Sequence, residues 1–214
     1  MADAAAPNVT FLGMAGAFSL PPLEALLAAG VAIREVVLPG AETRPVAPRP
    51  PEGGLPVLSP YAERTIVHLA WERGIPIREV AELSALAPDV LVVVCFPRLV
   101  PRAVWSSARL AVNIHPSLLP DNRGPAPLYW TFRLGQRRTG VTVHLLADRA
   151  DAGDILAQRE VDIPEGMTEA ELELRLARLG GELLVQVLRD FERGQLRPTP
   201  QDESRATSHP WPRD

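Results

Sequence analysis

The sequence contains no lysine; all 22 of its basic residues are arginine. Schiff-base catalysis and a lysine-bearing phosphate loop both need an amine side chain, so both are excluded. Cysteine is nearly as scarce. A single thiol, Cys95, can form neither an intramolecular disulfide nor a zinc centre built from several thiolates. Its place within Leu91-Val92-Val93-Val94-Cys95-Phe96 predicts a buried, inert packing role. Long apolar runs are missing as well, since Val90 to Phe96 falls far short of the about 20 residues that span a bilayer. The N-terminus starts on Met1, Ala2 and Asp3 without a basic segment or a long apolar stretch, which predicts no secretory signal and a cytoplasmic protein. Positive charge is not in excess either. A formal net charge of -4 gives no overall attraction for nucleic acid, so any RNA contact would need a local basic patch.

What remains is a chain of 214 residues with 46% hydrophobic content and a mean hydropathy of +0.03, enough for one large domain with a substantial core. Residues 1–197 read as that domain and 198–214, rich in proline and polar groups, as an extended tail. Asn8 to Gly13 reads as a strand, Pro21 to Gly30 as a helix with proline at its start and glycine at its end, and Val31 to Leu38 as a second strand. Together they predict a β-α-β unit and a parallel sheet. Pro39 to Pro60 reads as a long surface loop. A helix over Tyr61 to Arg73, a short extended segment at Ile75 to Ile77 and a short helix from Val80 to Ala87 follow.

Val90 to Phe96 is apolar on both faces, as central parallel strands are, and Leu110 to His115 reads as the next strand. Beyond it come a helix over Leu128 to Leu134, an antiparallel pair over Thr139 to Leu146 and Ile155 to Ile163, and a helix opened by a Thr168–Glu171 capping box. Gly180-Gly181 weakens that last helix locally. The predicted fold class is α/β: a Rossmann-like open, mostly parallel, twisted sheet with helices on both faces.

Asn113 and His115, two apart on a strand, point to the same side where it leaves the sheet. Ligands of open α/β sheets bind at such carboxyl ends, and an amide beside an imidazole can stabilise an oxyanion and move a proton. By itself an Asn-x-His at a strand end serves more often as a hydrogen-bonded loop anchor. Of the other histidines, His68 and His209 read as non-catalytic, and His144 follows the strand alternation of a structural residue.

The run Asn113-Ile114-His115-Pro116-Ser117-Leu118-Leu119-Pro120, followed by Arg123-Gly124, resembles the signature of the 10-formyltetrahydrofolate-dependent formyltransferases. Thr139-Gly140-Val141-Thr142-Val143-His144 and Asp151-Ala152-Gly153-Asp154-Ile155-Leu156 resemble that family's second block, in the correct order and spacing. Within the family the chain is most similar to the catalytic domain of methionyl-tRNA formyltransferases. The resemblance extends to Phe11-Leu12-Gly13 and to Pro200-Gln201-Asp202-Glu203-Ser204-Arg205-Ala206-Thr207. The glycine-rich phosphate loop of the glycinamide ribonucleotide enzymes is not seen near Gly13 to Gly16.

The resemblance implies transfer of a formyl group from 10-formyltetrahydrofolate, with no metal, to an amine acceptor. It implies that Asn113 bonds the formyl oxygen, that His115 assists with charge and proton transfer, and that Asp151, rather than Asp154, orients the histidine or a bridging water and helps accept the amine proton. It also places the folate against Phe96, Pro97, Arg98, Leu99, Val100 and Asp148, with Ser117, Leu118, Leu119 and Pro120 lining the folate side. Arg123 is left to meet the acceptor or the folate tail, or to lie solvated on its loop.

The family's tRNA-binding enzymes carry a C-terminal barrel domain and a basic insertion in the early loop. Here the chain stops at Asp214, and that loop holds only Arg44 and Arg49, alongside Glu42 and Glu52. Weak tRNA binding, if any, is expected on charge grounds. An amino-sugar or other small amine as acceptor, water as acceptor in a formyltetrahydrofolate hydrolase, and a non-catalytic folate-binding module are the alternatives. Oligomeric state is not legible.

Overall fold

The computed structural model describes residues 8–40, 64–80 and 83–212. The expected early loop from residue 41 onward, including Arg44 and Arg49, lies outside them. So do the first residues of the expected helix at Tyr61 and part of the short helix after Val80.

Seven strands form one sheet: β1 (Val9–Leu12), β2 (Ile33–Pro39), β3 (Ile77–Val80), β4 (Val90–Val94), β5 (Leu110–His115), β6 (Arg138–Leu145) and β7 (Ile155–Asp162). Their spatial order is β3-β2-β1-β4-β5-β6-β7. The first five pair in parallel, and β6 and β7 add on as antiparallel strands. This is the open, mostly parallel α/β sheet that the hydrophobic pattern predicts. β4 is buried at every position, because it lies mid-sheet and is covered on both faces.

The helices are α1 (Leu20–Ala28), α2 (Ile66–Glu72), α3 (Arg102–Trp105), α4 (Pro127–Arg133) and α5 (Glu169–Glu192). α1 begins with prolines in its first turn, where a missing N–H costs nothing. α5 begins at a true capping box. Thr168 Oγ1 accepts from the Glu171 amide at 3.3 Å, and Glu171 Oε2 accepts from the Thr168 amide at 2.8 Å. Gly180 and Gly181 do not interrupt this helix. They are its points of closest approach: a Cβ on Gly180 would press on Ile114 of β5, and one on Gly181 on Pro21, Pro22 and Ala25 of α1. The helical cost of glycine, about 1 kcal/mol each, is offset by that close packing.

The main core lies between one sheet face and α1, α2 and α5, and includes Phe11, Leu26, Val92, Val112, Ile114, Leu176 and Leu184. Each such side chain contributes about 1.5–3 kcal/mol by leaving water. A smaller cluster of Leu12, Val37, Leu91, Val93 and Ala111 with Leu83, Leu86 and Val104 covers part of the opposite face. β5 alternates between the two. Leu110, Val112 and Ile114 enter the main core, so Ala111, Asn113 and His115 face the thinner side.

Two segments depart from expectation. Residues 77–80 continue as a strand because Leu38 and Pro39 of β2 pair with Glu79 and Val80, and the expected helix shrinks to a 3₁₀ turn at Leu83–Ala85. Strand pairing there outweighs local helix propensity. The one-turn α3 is an addition. Among the described residues no helix is long and apolar enough to cross a membrane.

Candidate active site

Strand pairing assembles the polar groups. Asn113 on β5 stands opposite His144 on β6, and His115 opposite Thr142. The Asn113 side-chain amide donates from Nδ2 to His144 Nε2 at 3.1 Å, while His144 Nδ1 donates to the Leu145 carbonyl at 2.8 Å. That arrangement requires a neutral His144 with its proton on Nδ1. Burial supplies it by pulling the His144 pKa down to about 4, against the opposing pull of the Asp151 carboxylate. His144, read from sequence as a structural strand residue, therefore holds the Asn113 amide in place. One Asn113 N–H is committed to this bond, and the second stays available to an incoming oxygen.

His115 is 4% exposed and meets an acceptor at each ring nitrogen. Nε2 lies 2.9 Å from the Asn122 carbonyl and Nδ1 lies 3.5 Å from Asp151 Oδ1. A carbonyl can only accept, so Nε2 carries a proton and donates to Asn122, while Nδ1 faces the Asp151 carboxylate at the longer distance. The same Asp151 Oδ1 lies 3.7 Å from His144 Nε2, so one carboxylate oxygen faces both imidazoles. Its other oxygen accepts the Gly124 amide at 2.9 Å. Asp151 adopts a left-handed conformation, φ 55°, which aspartate enters more readily than most residues with a Cβ. The structure thus brings Asn113, His115 and Asp151 together, while Asp154 provides its backbone carbonyl to the Leu145 amide.

Arg123 is neither solvated nor aimed at a ligand. It is 4% exposed and binds Glu203 through Nη1 and Nη2 at 3.2 and 2.7 Å, and Gln201 Oε1 through Nε and Nη2 at 3.2 and 2.7 Å. These partners belong to the segment after α5, which folds back as a strap. Thr199 pairs with Ile155, and Ser208 with Arg123. His209 stacks on Trp130 at 4.7 Å, and the Trp130 indole donates to the Pro210 carbonyl. Gly124, at φ 112°, makes the strap's approach possible, since a Cβ there would overlap the His209 carbonyl. His68 serves as the cap partner of Thr65 at the start of α2.

Two cavities meet at these residues. The first, about 290 Å³, is lined by Phe96, Arg98, Leu99, Val100 and Asp148 together with Trp105 and Leu146. The second, about 530 Å³, lies toward the loop after β1, with Met14 and Phe18 on one side, Tyr129 and Trp211 on another, and Pro97 and Cys95 between. Asn113 and Asp151 line both, as do Phe96, Arg98, Leu99 and Ala150. Of the expected folate contacts, Ser117, Leu118, Leu119 and Pro120 line neither cavity. They brace the loop: Thr142 Oγ1 donates to the Ser117 carbonyl at 2.7 Å and accepts the Leu119 amide at 3.2 Å. Asp148 is bonded to Arg102 at 2.6 Å on the rim of the first cavity.

Cys95 also departs from expectation. It leaves the strand at φ 49° and opens to the cleft instead of packing in the core. Desolvation by the surrounding chain, with the Glu173 carboxylate adding to it, pushes its thiol pKa upward, to about 12. Among the described residues no group of His, Cys, Asp and Glu has an arrangement that could hold a metal ion.

The family model described as formyl transferase matches residues 72–188. The methionyl-tRNA formyltransferase of Acidobacterium capsulatum is 38% identical over 91% of this chain and 62% of its own length. That of Chloroflexus aurantiacus is 41% identical over 94% of this chain and 64% of its own. The chain thus spans a little under two thirds of these relatives. Among solved structures, an N-formyltransferase from Helicobacter canadensis, complexed with folinic acid and dTDP-3-aminofucose, superposes with a TM-score of 0.73 at 16% identity, covering 95% of this chain and 70% of that one; it speaks to the fold. With a family match across more than half of the sequence, and with the motif residues gathered at the carboxyl end of β5, this chain belongs to the formyl transferase family.

Proposed function

We propose that this protein transfers the formyl group of 10-formyltetrahydrofolate to an amine, by direct attack of the amine on the formyl carbon between the two cavities. One observation carries the reading: Asn113 and Asp151 form a shared wall of both cavities, with His115 beside them. A two-substrate transfer needs such a junction, because donor and acceptor must approach one set of groups from different sides.

The first cavity suits the donor. Its apolar walls, Phe96, Leu99, Val100, Trp105 and Leu146, with polar groups at one end, match a flat heterocycle that needs edge hydrogen bonds. The donor supplies an activated formyl group. The chain supplies the rest. The uncommitted Asn113 N–H donates to the formyl oxygen as it takes on negative charge, and His115 stands beside it to assist with proton transfer. Asp151, held by Gly124 and facing His115, accepts the proton that the attacking amine loses, and as the tetrahedral intermediate collapses the bond from the formyl carbon to the tetrahydrofolate nitrogen breaks and that nitrogen takes up a proton, leaving tetrahydrofolate and the formylated amine. The second cavity, larger and bounded by Met14, Phe18, Tyr129 and Trp211, receives the acceptor.

Tetrahydrofolate release from the formyl donor, measured without acceptor and with methionyl-tRNA, an amino-sugar nucleotide and free amino acids in turn, tests the reading. Release that depends on one of these amines supports transfer and names the acceptor. Release without any amine makes the protein a hydrolase. Tight folate binding with no release under either condition refutes the enzyme and leaves a folate-binding module.

A further inference from the structure

Gln201 saturates a side-chain amide between two loops that are far apart in sequence. Its Nε2 donates to the Asp151 carbonyl at 2.8 Å and to the Gly153 carbonyl at 2.7 Å. Its Oε1 accepts Nε and Nη2 of Arg123. Two donors and two acceptor sites are all that a primary amide has, and here all are used. The residue after Arg123, Gly124, donates to the Asp151 carboxylate. Asp151 is thus held at its main chain by Gln201 and at its side chain by the neighbour of Arg123, and the Gln201–Arg123 pair joins the two holds.

A second tie runs in parallel. Glu203, two residues further along the strap, binds both Arg123 and Arg149 of the Asp151 loop, the latter at 3.1 Å. Held this way, Asp151 keeps the left-handed backbone that points its carboxylate at His115; released, it would relax toward commoner conformations. We propose that Gln201 is a positioning residue: its amide fixes the register between the Asp151 loop and the Arg123–Gly124 loop and so aims Asp151 at His115. What Asp151 then does for an acceptor rests on the function proposed above, but the aiming does not.

No other side chain reproduces the contacts. Glutamate can accept from Arg123 but cannot donate to the two carbonyls, and methionine keeps the length while losing both. Gln201→Glu and Gln201→Met are therefore compared with Ser204→Ala, a strap change outside the network whose hydroxyl bonds only Asp202. Four quantities are read: kcat and KM for the folate donor, the pH profile of kcat, and the ring ¹⁵N resonances of His115 and His144 across pH. Both Gln201 variants are expected to lose about 10-fold or more in kcat, since misplacement by an ångström costs on that scale or above. KM for the donor should stay within about twofold, the pH profile should shift, and the His115 ring signals should move with it. Ser204→Ala should match the parent protein. Unchanged kcat and unchanged His115 signals in both variants overturn the proposal. So does a lowered melting temperature with normal kcat per folded molecule, which is what a merely structural strap would give. Should the parent protein transfer no formyl group, the proposed function fails, and the histidine resonances still decide whether Gln201 aims Asp151.

Discussion

Removing the Asn113 amide is the sharpest perturbation of this site. On the mechanism proposed above, Asn113→Ala takes away a donor for the developing oxyanion, and a single donor of this kind is worth about 100- to 1,000-fold in kcat, or about 2.7–4 kcal/mol. It also strands His144 Nε2, whose hydrogen bond at 3.1 Å comes from this amide. A buried acceptor left without its donor costs about 1–3 kcal/mol. For a domain of this length that corresponds to a melting temperature lower by a few degrees to about 10 °C. Two separable effects are therefore expected, a large one on rate and a moderate one on stability. Initial rates of tetrahydrofolate release, at saturating donor and the acceptor found by the screen, measure the first; thermal unfolding followed by circular dichroism measures the second. Asn113→Asp refines the test, because it preserves volume yet puts an acceptor where a donor stood. Its rate should fall at least as far as that of the alanine variant. A folded Asn113→Ala protein that retains more than about a third of the parental kcat would refute the assignment.

Asp151→Asn removes the charge facing His115 at 3.5 Å while keeping an acceptor for the Gly124 amide, so kcat should drop about 100-fold or more with the fold intact; full activity would exclude a proton-accepting role. His144 is neutral when folded, with a pKa near 4 against an ordinary 6.5. The unfolded chain therefore binds a proton that the folded one refuses, and stability should fall as pH drops from about 6.5 to about 4, by roughly 3 kcal/mol if the whole shift is expressed. Urea unfolding of the parent and of His144→Gln across that range should show this slope only in the parent, and equal slopes would contradict a buried neutral imidazole. Gly124→Ala places a methyl group against the His209 carbonyl at a backbone φ of 112°. The strap should detach and activity fall, whereas wild-type protease resistance of residues 199–212 would show that the strap tolerates it.

Much of this molecule can be read without coordinates, and the boundary of legibility is physical. Periodicity identifies β4 because it is apolar on both faces, and α5 because a capping box opens a long amphipathic stripe. Asn113, His115 and Asp151 are legible because two of them share a strand end and the third sits in a motif at a fixed interval. The partner of His144 is not legible, because its alternation along β6 is the same whether it only fills space or also bonds Asn113. Only the cross-strand pairing, 31 residues away in sequence, distinguishes these roles. Arg123 offers a similar lesson: its partners lie 78 and 80 residues downstream, in a segment whose prolines and polar groups suggest a loose tail. Cys95 extends an apolar run and looks like core, yet the strand ends one residue earlier and the chain turns there. Ser117 to Pro120 are expected along the folate, yet they line neither cavity, and buried hydrogen bonds from Thr142 give this loop a bracing role that a motif cannot reveal.

The common wall between the two cavities has a consequence for kinetics. If donor and acceptor take the two cavities as proposed, neither must leave before the other arrives, so the enzyme needs no covalent way-station on its own side chains. Initial-rate plots against both substrates should give intersecting lines, not the parallel lines of a ping-pong scheme. A molecule seated in one cavity rests against Asn113 and Asp151 and thereby shapes the partition that the other cavity presents. Product left in the donor chamber should accordingly be felt by the next acceptor, which makes release order, as much as bond making, a point at which turnover is set.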